Sequence, residues 1–335
     1  MLGEDKMAEK KNNQRIVIYG AGAVGGVVGG LLALAGIPVL LIGRPGNVET
    51  ILEHGLRVIT PGGTHIVRMP AFTTPNQIEF GPTDVVFLCV KGQDTERAIS
   101  DLHAITEDIP IFCLQNGVRN EEIVSKYYHR VYGVLVVGGG VYTQDGEVTS
   151  RGNPPGRFMV GRYPDGTDEL CESFAATLRD AGYEVVVTPE IMSYKWSKLL
   201  VNLNNAVGAI TNVAGEDTSC ITRAAQKEGK EILAQAGVRW IPIEESPSRW
   251  PKDAKRPIDG PSGISLGSTW QSLTRRIGTV ETEFLNGEIV RIARRLGKQA
   301  PINETLLWIT EEMAASHELP GKYTPAQLIK ILKLD

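Results

Sequence analysis

Two stretches of this sequence have residue types and spacing that could do chemistry: a run of polar residues at helical spacing and a glycine-rich turn. In the segment Lys195 to Ala206, Lys198, Asn202 and Asn205 recur at i, i+4 and i+7, on one face of a helix. Leu199, Leu200 and Leu203 fall off that stripe and can pack. A lysine and two amides bury poorly without partners. The spacing therefore leaves two readings, a polar surface face or the wall of a cleft. A lysine with a lowered pKa can give a proton to a ketone oxygen, and a nearby carboxylate can orient it while favouring its charged form. Further along, Ser268 or Thr269 could cap a helix. Glu281 and Glu288 lie near one face of the next helical stretch, for which a solvated acidic surface is the ordinary explanation.

The turn is Gly20-Ala21-Gly22-Ala23-Val24-Gly25, a G-x-G-x-x-G with an apolar strand before it and a helical pattern after it. Gly20 permits the tight turn, Gly22 lets a pyrophosphate approach the backbone, and Gly25 permits close packing of helix on strand. Unpaired N–H groups at the helix start favour phosphate oxygens. An ordinary glycine turn or the related loop of a methyltransferase would share the motif. At the end of the second strand, where an NAD enzyme usually places Asp or Glu, the chain has Ile42-Gly43-Arg44-Pro45. Arg44 can pair with a 2'-phosphate that an acidic residue would repel, so the cofactor expected is NADPH/NADP+.

These residues need elements to hold them. Arg15 to Tyr19 and Val39 to Ile42 read as strands flanking a helix that ends near Ala35. Strands continue through Val58, Val67, Val85 to Val90 and Ile111 to Leu114, with helices at Asp94 to His103 and Asn120 to Tyr127. This is the rhythm of a mostly parallel sheet. Short runs at Val131 to Val137, Val141 to Thr143, Glu147 to Thr149 and Arg157 to Val160 are expected as antiparallel additions to that sheet. A helix at Glu169 to Asp180 and a strand at Tyr183 to Val187 close the region. Beyond Pro189 the pattern is helical, with one long helix from Ile191 to about Ala209 and others at Thr218 to Gln235, Trp270 to Arg276, Thr282 to Arg295 and Pro301 to His317. The fold class expected is α/β: a Rossmann-type dinucleotide-binding domain with antiparallel additions over 15–189, then an all-helical substrate and catalytic domain over 190–335. Residues 1–14 are expected to be a disordered tail, and Ser246 to Gly267 a loop that could approach a cleft.

Composition limits the alternatives. The 335 residues are 42% hydrophobic and 22% charged, with a formal net charge of -4, so no global basic field invites nucleic acid or a membrane surface. No apolar stretch reaches the roughly 20 residues that span a bilayer, and the polar start lacks the apolar middle of a signal peptide. Cys89, Cys113, Cys171 and Cys220 are far apart, which favours a reducing, cytoplasmic setting over a disulfide framework. The histidines His54, His65, His103, His129 and His317 show no ligand spacing, so no metal is expected.

With these pieces in order, the chain after its first residues resembles the ketopantoate reductase family, within the 6-phosphogluconate-dehydrogenase-like group. The resemblance runs through Gly20 to Gly25, Arg44, Val90-Lys91, Gln115-Asn116-Gly117, Lys198 to Asn202, Glu281 with Asn286-Gly287, and Pro301-Ile302-Asn303-Glu304. It implies reduction of 2-dehydropantoate to pantoate, with a hydride from the nicotinamide and a proton from Lys198. It further implies that Asn116 lies near nicotinamide and substrate, Lys91 on the cofactor side, and Asn202 against the substrate. Glu281 would engage the lysine or the substrate hydroxyl in the closed state.

Three departures bear on the substrate. Ala206 stands where the family has a second asparagine, with Asn205 or Asn204 as imperfect substitutes. Ser268-Thr269-Trp270 replaces a Ser-Ser-Met-like segment; Thr269 keeps a hydroxyl, but Trp270 is bulkier. The Ser246 to Gly267 loop has no clear counterpart. Loss of a buried amide partner could shift discrimination by about 1–3 kcal/mol. The partner expected is therefore a small anionic keto acid, with a different 2-oxo acid or an opine-like substrate as the alternative. A non-catalytic NADP-binding regulator is the reading from another class, against which Lys198 and Glu281 argue. The C-terminal helices could support a homodimer.

Overall fold

The computed structural model describes residues 14–138, 140–142, 144–213, 218–242 and 267–334. The expected tail falls outside them except for Gln14, and the expected loop except for Gly267. In chain order the first region contains β1 (Arg15–Tyr19), α1 (Ala23–Leu34), β2 (Val39–Ile42), α2 (Pro45–His54), β3 (Leu56–Thr60), β4 (Gly63–Val67), β5 (Ala71–Phe72) and β6 (Asp84–Leu88). It continues with α3 (Thr95–His103), β7 (Ile111–Cys113), α4 (Asn120–Val124), β8 (Val131–Val137), β9 (Gly140–Val141), β10 (Glu147–Ser150), β11 (Arg157–Arg162), α5 (Glu169–Asp180) and β12 (Glu184–Val187). The helical region follows as α6 (Ile191–Asn202), α7 (Asn204–Thr211), α8 (Ser219–Gln235), α9 (Ser268–Thr274), α10 (Asn286–Arg295), α11 (Pro301–Ala315) and α12 (Pro325–Leu332).

The chain is thus a mixed α/β Rossmann-like domain followed by a helix-rich region. Eight strands form the large sheet in the order β12-β11-β8-β7-β6-β1-β2-β5. β1 pairs in parallel with β2 and β6, Ile16 opposite both Val39 and Val85, and buried Ile and Val on each strand drive that pairing. Of the expected antiparallel additions, β8 instead joins β7 in parallel, as its buried apolar run allows, and β11 lies antiparallel to β8. β9 and β10 do not join this sheet, and β3 and β4 do not continue its alternation. They form a second sheet in the order β4-β3-β10-β9.

α1 lies between the two sheets, which explains its paired glycines. A Cβ on Gly29 would meet Leu41 at 3.0 Å and Ile18 at 3.1 Å, on the large sheet. A Cβ on Gly26 would meet Val148, and one on Gly30 would meet Val58, each at 2.6 Å, on the small sheet. Small residues on two faces let one helix approach two sheets.

The expected long helix is two, α6 and α7, separated by Leu203 with its backbone still helical. The buried Asn286 amide donates to the Leu203 carbonyl at 3.3 Å, so a side chain enters the hydrogen-bond ladder where it breaks. Asn286 also donates to Asn303 at 2.9 Å, and Asn303 to the Ala225 carbonyl at 3.0 Å. These asparagines brace the helical core formed by residues such as Leu199, Ile210, Ile289, Leu306 and Met313. Among the described residues no helix is long and apolar enough to cross a membrane.

Candidate active site

The glycine turn follows β1. Gly20 and Ala21 donate backbone N–H groups to the Ile42 carbonyl at 2.8 and 3.1 Å. Gly20 has φ +114°, and a Cβ there would fall 2.5 Å from the Val90 nitrogen. A Cβ on Gly25 would fall 2.1 Å from the Gly20 carbonyl oxygen, so both positions exclude a side chain. Gly22 differs: its Cβ would project into open space. That opening fits a pyrophosphate against the backbone, beside the start of α1, where no side chain caps the helix. Ala21 is buried, while Ala23 and Val24 are half-buried in the first turn. Arg44 is exposed at the N-cap of α2. Buried Asn47, which sequence reasoning missed, braces the turn: it donates to the Ala21 carbonyl at 2.9 Å and accepts from the Gly146 N–H at 2.7 Å.

Across the sheet from this turn, α6 is seated by Ile191, which fills the space left by Gly133 and Gly161 on β8 and β11. The half-buried Lys198 ammonium donates to the Val136 carbonyl on β8. One turn on, Asn202 Nδ2 lies 3.5 Å from Asn116 Oδ1. Two members of the expected stripe therefore meet the segment after β7 and the end of β8. Asn205, beyond the break at Leu203, turns elsewhere: a Cβ on Gly267 would lie 3.1 Å from its Oδ1.

A buried network holds Asn116. Its carbonyl accepts from Asn120 Nδ2 at 2.9 Å; Asn120 Oδ1 accepts from the Thr95 hydroxyl, and that hydroxyl accepts from Gln115 Nε2, both at 2.9 Å. Lys195 donates to the Gln115 carbonyl at 3.1 Å and to the Glu121 carboxylate. The Lys195 and Glu121 side chains are 3% and 0% exposed. Burial pushes the Glu121 carboxyl up, while the Lys195 ammonium pulls it back. Sequence reasoning passed over this pair. The available signal was a second lysine three residues before Lys198 in a helix that the sheet must bury.

The third cluster joins the two regions. Lys91 donates to Ser272 Oγ at 2.5 Å, and the Gly92 N–H donates to Glu281 Oε1 at 3.3 Å. A Cβ on Gly92 would lie 2.6 Å from the Phe284 ring. Burial lowers the Lys91 pKa first of all; Glu281 and Asp94 oppose this, while Arg275 and Arg44 add to it. Glu281 thus sits at the Lys91 turn. Glu288 is no solvated acid: fully buried, it is ion-paired with Arg119 at 2.8 Å and Arg291 at 2.5 Å.

The departures have definite places. Ala206 is fully buried within the helical core. Trp270 donates its indole N–H to Asn212 Oδ1 at 2.8 Å. Neither Ser268 nor Thr269 caps α9, whose N-cap is Gly267 without a side-chain bond. Thr269 is 1% exposed, and its hydroxyl has no hydrogen-bond partner among the described residues. Among those residues no cluster of potential metal ligands occurs.

The chain is similar in sequence and fold to known proteins. The family model "Ketopantoate reductase PanE/ApbA" covers residues 16–165, and its C-terminal companion covers 190–314. The 2-dehydropantoate 2-reductase of Pyrococcus horikoshii is 33% identical over 301 residues, 88% of this chain and 95% of that protein. That of Archaeoglobus fulgidus is 32% identical over 302 residues, 88% and 96% of the two. A PanE/ApbA family ketopantoate reductase from Ralstonia eutropha superposes with TM-score 0.75 at 28% identity, covering 91% of this chain and 99% of that one. D-mandelate dehydrogenase, solved with NADH and anilino(oxo)acetate, shares the fold with TM-score 0.77 at 23% identity, covering 91% and 99%.

Proposed function

The chain belongs to the ketopantoate reductase PanE/ApbA family, and from that premise we propose that it reduces 2-dehydropantoate to pantoate with NADPH. Membership supports the broader activity, NAD(P)-dependent reduction of a 2-oxo acid. The observation that carries the finer reading is that Asn202 reaches Asn116 while Lys198, one turn earlier on α6, reaches the end of β8, along the sheet edge that also carries the glycine turn. The open backbone at Gly22 and the start of α1 would hold the dinucleotide, whose reduced nicotinamide would provide the hydride for the ketone carbon. Lys198 gives the ketone oxygen its proton, so that C=O becomes CH–OH and the lysine is left neutral until solvent reprotonates it. The Val136 carbonyl holds that ammonium in place beforehand. Asn202 and Asn116 orient the substrate, and Thr269 offers an unpartnered hydroxyl. Glu281 acts through the Lys91 turn or on the substrate hydroxyl. Arg44 favours a 2'-phosphate, and Lys91 the anionic cofactor.

An NADPH-consumption assay over a panel of 2-oxo acids tests this. Efficient turnover is expected with 2-dehydropantoate. Negligible turnover with it, and efficient turnover with another keto acid, would sink the assignment. One observation favours that second reading: Trp270 is fixed by Asn212 where the family carries a smaller residue, which would reshape a substrate wall.

A further inference from the structure

We propose that Arg275 is a second arm of the cofactor's phosphate site, reaching the adenosine 2'-phosphate from the helical region as Arg44 reaches it from the nucleotide domain. This rests on the NADPH reading and deepens it, because nothing in the glycine turn calls for a residue from the helical region. Arg275 ends α9, yet its guanidinium lies 4.5 Å from the centroid of the Tyr142 ring in the Rossmann-like domain. Tyr142 follows β9, which crosses the first turn of α1: a Cβ on Gly140 would fall 2.2 Å from the Ala23 carbonyl oxygen. The Tyr142 hydroxyl donates to Asp145, and Asp145 Oδ2 lies 2.9 Å from where a Cβ on Gly46 would be. Gly46 is two residues beyond Arg44. Contact by contact, Arg275 is delivered to the edge of the site that Arg44 occupies.

Arg44 and Arg275 are both exposed, and neither is ion-paired among the described residues. Burial and Asp145 hold the Tyr142 phenol above its usual range, and burial holds Lys91 below its own; both arginines oppose the first shift and add to the second, so both fields reach the same small region. Glu281 and Asp94 face Lys91, and Asp145 is engaged by Tyr142. The cation–π contact with Tyr142 restrains the guanidinium before any ligand arrives, which reduces the ordering cost of a bond to phosphate. A phosphate held from both regions also ties α9 to the nucleotide domain. The adjacent Lys91–Ser272 bond crosses the same junction.

Isothermal titration of the full-length protein with adenosine 2',5'-bisphosphate and with 5'-AMP tests the assignment without catalysis. Loss of one charge-assisted phosphate contact should weaken the bisphosphate by about tenfold in Arg275→Met. 5'-AMP should bind Arg275→Met as it binds the unsubstituted protein, and Arg275→Lys should recover part of the loss. Equal weakening of both ligands would make Arg275 a packing residue, and no weakening would remove it from the site; either result overturns the proposal. Failure of the NADPH reading looks different: the unsubstituted protein would bind the bisphosphate no more tightly than 5'-AMP.

Discussion

The glycine turn and the Lys198 face are built by opposite means. Gly20 to Gly25 is a site of backbone, shaped by the space that side chains would fill, and its sequence signature lies within six consecutive residues even though Cys89 and Val90 help to bound it. The Lys198 face is a site of side chains, assembled from α6, the end of β8 and the segment after β7. Behind it stands the buried network of Thr95, Gln115, Asn120, Glu121 and Lys195. A backbone site fails when an atom is added, and a side-chain site fails when one is taken away. The first failure should appear in binding and the second in turnover.

The sharpest separation comes from Lys198→Ala. Loss of a positioned proton donor should lower kcat by about 10²- to 10⁴-fold. NADPH affinity, read by direct titration, should stay near its original value; unchanged turnover would exclude Lys198 as the donor. Glu121→Ala is next. It leaves the Lys195 ammonium buried without its carboxylate, and breaking such a pair costs about 3–5 kcal/mol, measurable by denaturant unfolding. The double replacement Lys195→Met with Glu121→Leu should recover most of that stability, since an apolar pair avoids the desolvation cost. If the network positions Asn116, the double variant should still show reduced kcat. Full activity in it would reduce the pair to a structural pin.

Gly25→Ala probes the other side of the comparison. Its Cβ would meet the Gly20 carbonyl, Ile18 and Cys89 at 2.1, 2.8 and 2.9 Å. Overpacking of this kind costs about 1–3 kcal/mol, and here it displaces the turn itself. Dinucleotide affinity should fall while a keto-acid analogue binds as before. Intact dinucleotide binding would show that α1 can move away at little cost.

The same contrast explains what could be read in advance. The turn, β1 and α1 were legible because their pattern is local, a glycine spacing between an apolar strand and a helix. The alternation in β3, β4, β9 and β10 marks them as strands, but pairing is a long-range choice, and they form a sheet of their own. The break at Leu203 depends on Asn286, 83 residues away, so the periodicity of α6 and α7 runs straight through it. Lys195 and Lys198 are the same residue type three positions apart. Which of them is sealed depends on Glu121, 74 residues from Lys195. Lys198 and Asn202 were legible as a stripe; the partners that give the stripe meaning were not. Ser272 lies in a short helix and Arg275 just past its end, with no pattern of their own, and only the folded junction brings them to Lys91 and Tyr142.

Lys91 is the smallest and most informative test, because it belongs to both kinds of site: its side chain crosses to α9, and its neighbour Val90 backs the Gly20 turn. Burial sets its pKa below the ordinary lysine value of 10.5, against the pull of Glu281 and Asp94. An anionic dinucleotide favours the ammonium, so binding should raise that pKa again. Affinity is then full below the depressed value, falls as pH rises from it to the value in the complex, and levels off beyond. Proton uptake on binding should appear in the same window, as a dependence of the calorimetric enthalpy on the ionisation heat of the buffer. Lys91→Met should abolish both the slope and the uptake, with a loss at neutral pH of about tenfold or less. A slope that survives the substitution would move the titration to another group and leave Lys91 as a brace between the two regions.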